Sequence, residues 1–294
     1  MTYIDIHAHG FLDDQWHYRP GIGHPMCTPD DLLRHYDRLD IAKGCILPIV
    51  SPESILNTQS NEEVLRFCQT HPDRFVPFCN VDPRNLFNNM RSPFERVLAH
   101  YRDKGCKGLG EMTCNLRFLD ERVQALFAAC EKVGFSVTFH MSPFAGENYG
   151  LVDLPGLPGL EESLRRYPKL KIFGHSQAFW CEISAYTGQD VRFGFPKGPV
   201  KEGRIAQLMR KYPNLYGDLS ANSGYNAISR DRAYGVKFLT EFQDRLMFGM
   251  DICAPNAFIS PLPGYLKELR DRGEITKEVF EKIAFRNAQR ILEG

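Results

Sequence analysis

The sequence predicts an α/β protein, a (β/α)8 (TIM) barrel formed as a single domain over residues 1–294. Three observations carry that prediction. Eight short apolar runs, each of strand length, recur along the chain. Amphipathic stretches with helix start and stop signals separate them. One run follows the last after roughly 30 to 45 residues, room for one strand–helix unit each, and repeated units of that kind imply parallel strands joined by right-handed crossovers. The length also suits a barrel of about 250 residues or more.

The expected strands are Tyr3–Ala8, Gly44–Val50, Phe75–Val81, Lys107–Met112, Phe135–Met141, Leu170–His175, Leu215–Ser220 and Leu246–Asp251, most of them rich in β-branched or aromatic residues. The expected helices lie between them. Pro29–Leu39 follows Thr28, a suitable N-cap, and Asn61–Gln69 starts on a capping Asn. Pro93–Lys104 carries Pro in its first turn, and Asp120–Val133 has apolar residues three and four apart before Gly134 stops it. Leu157–Tyr167, Gly203–Tyr212, Arg230–Phe242 and Thr276–Leu292 follow the same logic. An open doubly wound sheet is the competing arrangement, but no GxGxxG follows the first run and no Walker A motif occurs. Two insertions, residues 10–28 and 177–202, are rich in Gly, Pro and aromatics, and both belong at the C-terminal mouth of a barrel, where loops build sites.

Hydrophobic residues make up 43% and charged residues 24%, ordinary for a soluble globular domain. A core this large folds without a structural metal, so a metal, if held, serves function. The 36 basic and 36 acidic residues cancel, which argues against nucleic acid or a membrane as partner. Nine scattered cysteines with no CxxC pair, no basic–apolar leader in MTYIDIHAHG and no 20-residue apolar run point to reduced thiols in a cytoplasmic protein.

The chemistry starts from His7 and His9. Two residues apart on a strand, they share a face, and two imidazoles converging at a strand end suit a divalent cation. Alone, HxH is also compatible with a solvated strand end. However, His140 closes the fifth run, His175 the sixth and Asp251 the eighth, so five potential ligands fall at the same end of different strands. The other five histidines (17, 24, 35, 71, 100) lie in expected loops or helices.

IDIHAHG, VTFHMSP, IFGHSQAF and LMFGMDIC together resemble the amidohydrolase superfamily, and more narrowly the amidohydrolase-related branch that includes aminocarboxymuconate-semialdehyde decarboxylase. LLRHYDRLDIAKGCILP, NEEVLRFCQTHPDRFVPFCNVDPRN, LEESLRRYPKLKIFGHS, YPNLYGDLSA and IAFRNAQRIL extend the likeness over nearly the whole chain. The resemblance implies that His7, His9, His140 and Asp251 hold the metal, with Asp251 also acting as general base toward an activated water. It implies that His175 is a ligand to a second metal or an acid/base beside a single one. Glu111 ends the fourth run. In binuclear branches, TatD-like nucleases among them, an acidic or carbamylated residue at that place bridges two metals, whereas the branch nearest the decarboxylases usually needs no bridge. The other reading of Glu111 is a strand-end acid paired with Lys107 or Arg117.

Around this centre, Phe179 and Trp180 are candidates to wall an apolar substrate, and Trp16 and Tyr18 to cover it from the first insertion. Asn222 and Tyr225 are candidates to hydrogen-bond it, and Arg192, Arg204 or Arg230 to hold a carboxylate. Cys114 and Cys253 sit near strand ends, with buried inert thiols as the plainer reading. The expectation is a hydrolase that turns metal-activated water on an amide, lactone or ester of a small molecule. The alternative is non-oxidative decarboxylation of an aromatic or unsaturated carboxylic acid. One or two divalent ions are expected, zinc first and manganese second, and the resemblance makes a homodimer plausible.

Overall fold

A computed structural model of the chain describes residues 2–13, 16–19, 22–185 and 190–293, the side chains of 17–19, 22 and 190 excepted. Eight parallel strands run in chain order around a barrel: β1 (Tyr3–Ala8), β2 (Ile41–Ile46), β3 (Phe75–Pro77), β4 (Gly108–Met112), β5 (Ser136–Ser142), β6 (Ile172–His175), β7 (Leu215–Asp218) and β8 (Leu246–Met247). Strands β1–β3 pair as one ladder and β4–β8 as another. Two single parallel bridges close the ring, Cys79 with Leu109 and Ala8 with Ile252. Neighbouring amides reinforce both seams: Gly110 N–H donates to Cys79 O, Asp251 N–H to His7 O and His9 N–H to Ile252 O.

The sequence signals explain the outer layer. Thr28 and Asp31 form a reciprocal capping box at helix Pro29–Leu39, and Gly134 ends helix Glu121–Val133 with a left-handed φ of 86°. At Asn61–Thr70 the cap is Ser60 rather than Asn61, whose amide pairs instead with the backbone of Asn80 beyond β3. The expected strands run too long at their C-terminal ends. Residues 47–50, 78–81 and 248–251 fall outside the regular ladders, although Cys79 still bridges Leu109 and the Asp251 amide still bonds His7 O. The second strand also begins three residues before its apolar run, at Ile41. Helices Ala221–Ser229 and Leu262–Asp271 and a hairpin of Trp16–Arg19 with Ile22–Pro25 went unforeseen. Their Gly, Pro, Ser and Asn content reads as loop in isolation.

Most buried apolar residues lie between strands and helices. A smaller cluster of Ile6, Cys45, Leu47, Phe78, Phe173, Tyr216 and Met247 draws on successive strands and fills the barrel, joined by Ala288, Ile291 and Leu292 of the last helix. Two residues beyond Phe173 and Tyr216, on the same face by strand periodicity, come His175 and Asp218. Side chains inside the barrel thus change from apolar to ionisable at its C-terminal mouth. No helix among the described residues is long and apolar enough to cross a membrane.

Candidate metal centre

Strand β1 brings His7 and His9 to the mouth through an irregular stretch. Its pairing with β2 shifts between Asp5 and Ala8, and the Asp5 carboxylate accepts the amides of His7 (3.0 Å) and Met250 (2.9 Å) as well as the Tyr36 hydroxyl (3.0 Å). Burial pushes the Asp5 carboxyl up to about 7 in spite of those donors.

The two imidazoles face each other through Nε2 at 3.1 Å. Their far nitrogens are committed. His9 Nδ1 lies 2.8 Å from Leu47 O, an atom that only accepts, so Nδ1 carries the hydrogen and Nε2 of the neutral ring presents a lone pair. His7 Nδ1 donates in the same way to Asp218 Oδ2 at 2.6 Å. Two nitrogens each about 2.0–2.1 Å from one cation, at angles of 90–109°, lie roughly 2.9–3.4 Å apart, which brackets the observed separation.

Two carboxylates complete the cluster, and each turns its oxygens in two directions. Glu111 Oε2 lies 3.5 Å from His9 Nε2 and 3.7 Å from His7 Nε2, while Oε1 lies 2.9 Å from His140 Nδ1 and 3.7 Å from His175 Nε2. Asp251 Oδ1 lies 3.5 Å from His9 Nε2 and 3.8 Å from His7 Nε2, while Oδ2 lies 3.7 Å from His175 Nε2. His7, His9 and Glu111 form one group of converging ligand atoms, and Glu111, His140 and His175 form a second. Asp251 holds its place with φ at 57°, a left-handed conformation that Asp tolerates better than most residues.

The electrostatics ask for a cation. Glu111 is 5% exposed, and among the described residues it pairs with histidines rather than with Lys107 or Arg117. Burial raises its pKa, but His7 and His140 outweigh burial and hold it well below the ordinary range. Burial lowers His7, and Asp218, Asp251 and Glu111 together reverse this and hold it well above the usual value. His175, by contrast, is held down to about 4 by burial and by His7, so its ring is neutral near pH 7. Buried carboxylates among imidazoles of fixed orientation, with no Lys or Arg in contact among the described residues, fit a divalent metal; nitrogen and carboxylate donors suit zinc or manganese alike.

Asp218 and Ser220, not singled out in the sequence, support this centre. Asp218 is fully buried, accepts a hydrogen bond from His7 Nδ1 and lies 3.6 Å from His175 Nδ1, which also meets Ser220 Oγ at 2.9 Å. The signal was present: Asp218 ends a strand as His175 does. A cavity of about 160 Å3 opens on the centre, lined by His9, His24, Ile49, Ser54, Glu111, Thr113, His140, Tyr149, Asp251 and Cys253. Tyr149 lies against His140 with ring centroids 4.4 Å apart.

The aromatic expectations need correction. Phe179 and Trp180 are buried in the main core behind the barrel wall. The short helix Gln177–Trp180 swings them outward, where Gly174 and Gly217 leave room: a Cβ on Gly174 would lie 2.2 Å from the Phe179 ring, and Trp180 Nε1 donates to Asp218 O. Trp16 is 56% exposed on the hairpin, whose contribution to the cavity is His24. The Tyr18 side chain falls outside the described residues. Asn222 and Tyr225 lie on helix Ala221–Ser229 and do not line the cavity; Tyr225 packs edge-on to Tyr265. Arg192 is buried and donates to Asp153 O, yet it lines, with His140 and Tyr149, a second cavity of about 180 Å3 beside the centre, whereas Arg204 is bound to Glu161 and Gly156 O on the outer layer. Arg230 is half-buried beyond the same helix and is likewise absent from the cavity lining. Cys114 is buried, whereas Cys253 reaches the cavity.

Comparison with known proteins agrees with this architecture. Solved structures with the same fold include an uncharacterised TIM-barrel protein from Bordetella bronchiseptica (17% identity, TM-score 0.66, covering 100% of this chain and 99% of that one). They include a structure described as a probable 2-pyrone-4,6-dicarboxylic acid hydrolase from Acinetobacter baumannii (15%, TM-score 0.60, 100% of both chains). A 5-carboxyvanillate decarboxylase from Novosphingobium aromaticivorans, complexed with manganese, also matches (16%, TM-score 0.58, 90% of this chain and 79% of that one). No curated protein matches the sequence. A family model described as amidohydrolase spans residues 4–294, nearly every strand and every ligand position described above, and the chain therefore belongs to the amidohydrolase family.

Proposed function

We propose that the protein is a metal-dependent hydrolase that opens an amide, lactone or ester bond of a small molecule. One observation carries the reading: Glu111 and Asp251 each offer one oxygen to the His7/His9 pair and the other to His175, and Glu111 also reaches His140. Such an arrangement suits two cation positions sharing two carboxylates. His7, His9, Glu111 and Asp251 would hold one ion, and Glu111, His140, His175 and Asp251 the other.

Divalent ions there, zinc or manganese, would supply an electrophile for the carbonyl oxygen and acidify a water. The remaining work falls to the protein. Asp251, a quarter exposed at the cavity wall, is placed to take the proton of the attacking water and to return it to the leaving group. The neutral ring of His175 keeps a nitrogen for metal or for a proton. The His7–Asp218 and His9–Leu47 hydrogen bonds hold both rings with Nε2 inward throughout. A cavity of about 160 Å3 supports a small substrate.

The manganese-bound decarboxylase among the structural neighbours favours a second reading, removal of CO2 from an aromatic acid at a single metal. Elemental analysis of the purified protein, with assays on a panel of lactones, esters and amides beside hydroxybenzoates, separates the two. Two ions per chain and turnover in the first panel are expected. One ion with turnover of the second panel only would replace hydrolysis by decarboxylation, and protein that takes up no divalent metal would overturn both.

A further inference from the structure

The two aliphatic hydroxyls among the residues that line the metal cavity, Ser54 and Thr113, have their hydrogens already committed. Ser54 Oγ lies 2.8 Å from Ser51 O, which only accepts, so the Ser54 hydrogen points there. Ser54 Oγ also lies 2.9 Å from Thr113 Oγ1, and with the Ser54 hydrogen spent, Thr113 is the donor in that contact. The Ser51 hydroxyl in turn donates to Asp82, which Arg84 holds, so the segment that supplies Ser54 is pinned from behind. Thr113 and Ser54 therefore meet the cavity with lone pairs only. The rest of the polar wall is similar. His24 Nδ1 donates to Pro25 O at 3.1 Å. Glu111 and Asp251 are carboxylates. Tyr149 brings a phenol that both donates and accepts, and Ile49 and Cys253 complete the lining.

From this inventory we infer that the Ser54–Thr113 wall selects a substrate bearing an O–H or N–H donor beside the group that meets the metal, and disfavours an ether or a second carboxylate there. The inference rests on the metal-centre reading above and narrows its substrate class to hydroxylated or amine-bearing acyl compounds. An acceptor brought against acceptors leaves both sides unpaired in a buried site, and a mismatch of that kind discriminates more sharply than a change in apolar size.

The test uses zinc-loaded protein and three probes that share a metal-binding hydroxamate: 2-hydroxyacetohydroxamate, 2-methoxyacetohydroxamate and the monohydroxamate of malonate. Titration calorimetry should show the hydroxyl probe binding about tenfold more tightly than the other two. That preference should fall toward unity in Thr113→Val and survive in Thr113→Ser, which keeps the acceptor. Equal binding of the methoxy or carboxylate probe by the wild-type protein would overturn the inference without recourse to any variant. So would a preference that persists in both Thr113→Val and Ser54→Ala. If none of the probes binds zinc-loaded protein more tightly than metal-free protein, the metal-centre reading fails and this inference falls with it.

Discussion

Replacing Asp218 with Asn tests whether the metal centre depends on a residue that would itself touch no metal. The carboxylate lies 2.6 Å from His7 Nδ1 and 3.6 Å from His175 Nδ1, and its second oxygen accepts Ser220 N–H at 3.0 Å. Asparagine keeps the volume but removes the charge, so His7 loses a charge-assisted bond and the partner that fixes its tautomer. Outer partners of this kind are worth about 10–100-fold in metal affinity, or about 1.4–2.7 kcal/mol, in line with the roughly 1.5–3 kcal/mol of a hydrogen bond to a charged group. Zinc affinity of Asp218→Asn, measured by competition with a chromophoric chelator, should fall by that factor, and thermal melting of the metal-free variant shows whether the barrel stays folded. A folded variant that binds zinc within twofold of wild type would refute the reasoning, because it would mean that β1 geometry alone orients His7.

Asp251→Asn should lower turnover by about 10²–10⁴ while leaving the melting profile of the folded protein intact, since a positioned acid–base group contributes on that scale; steady-state kinetics beside circular dichroism check it. Gly150→Ala should destabilise the protein by about 1–3 kcal/mol in urea unfolding and disturb metal uptake. Gly150 sits at φ 106°, and an added Cβ would lie 2.8 Å from His140 O and 2.9 Å from its ring. Asp82→Asn should cost about 1–3 kcal/mol at pH 7 by removing one of the two carboxylates that hold Arg84, Glu53 being the other. Burial raises the Asp82 pKa, but hydrogen bonds from Arg84 and Ser51 outweigh it and depress the folded value. Its stabilisation is therefore present above the unfolded pKa near 3.9 and is lost as pH falls through the lower folded one, so the wild-type advantage in denaturant melts should narrow below about pH 4.

The barrel, and the cluster of candidate ligands at its mouth, were legible in the sequence because both depend on short-range pattern. A strand of four to seven residues with a charged or imidazole terminus marks its own mouth-facing end, and Thr28, Asp120 and Gly134 mark helix ends through local hydrogen bonds or φ. The substrate side was not legible. Ser54, Thr113, Tyr149 and His24 reach the cavity along loops whose paths are set by distant contacts such as Ser51 to Asp82 and Gly150 N–H to Thr113 O. Phe179 and Trp180 misled because nearness to His175 in sequence says nothing about which side of the wall a following helical turn takes. The absent side chains of Gly174 and Gly217 decided that.

The barrel is sewn shut through the same residues that would grip the ions: the Asp251 amide donates to the His7 carbonyl, and the His9 amide to the Ile252 carbonyl. His7 and His9 emerge from the ribosome well before the Asp251 carboxylate of the same nest, which follows some 240 positions later. Tight capture of a cation would therefore wait until β8 has been made and has docked beside β1. Cells short of metal would then accumulate finished, empty molecules rather than arrested partial ones, and loading would be a late event open to whichever ion is abundant at that moment.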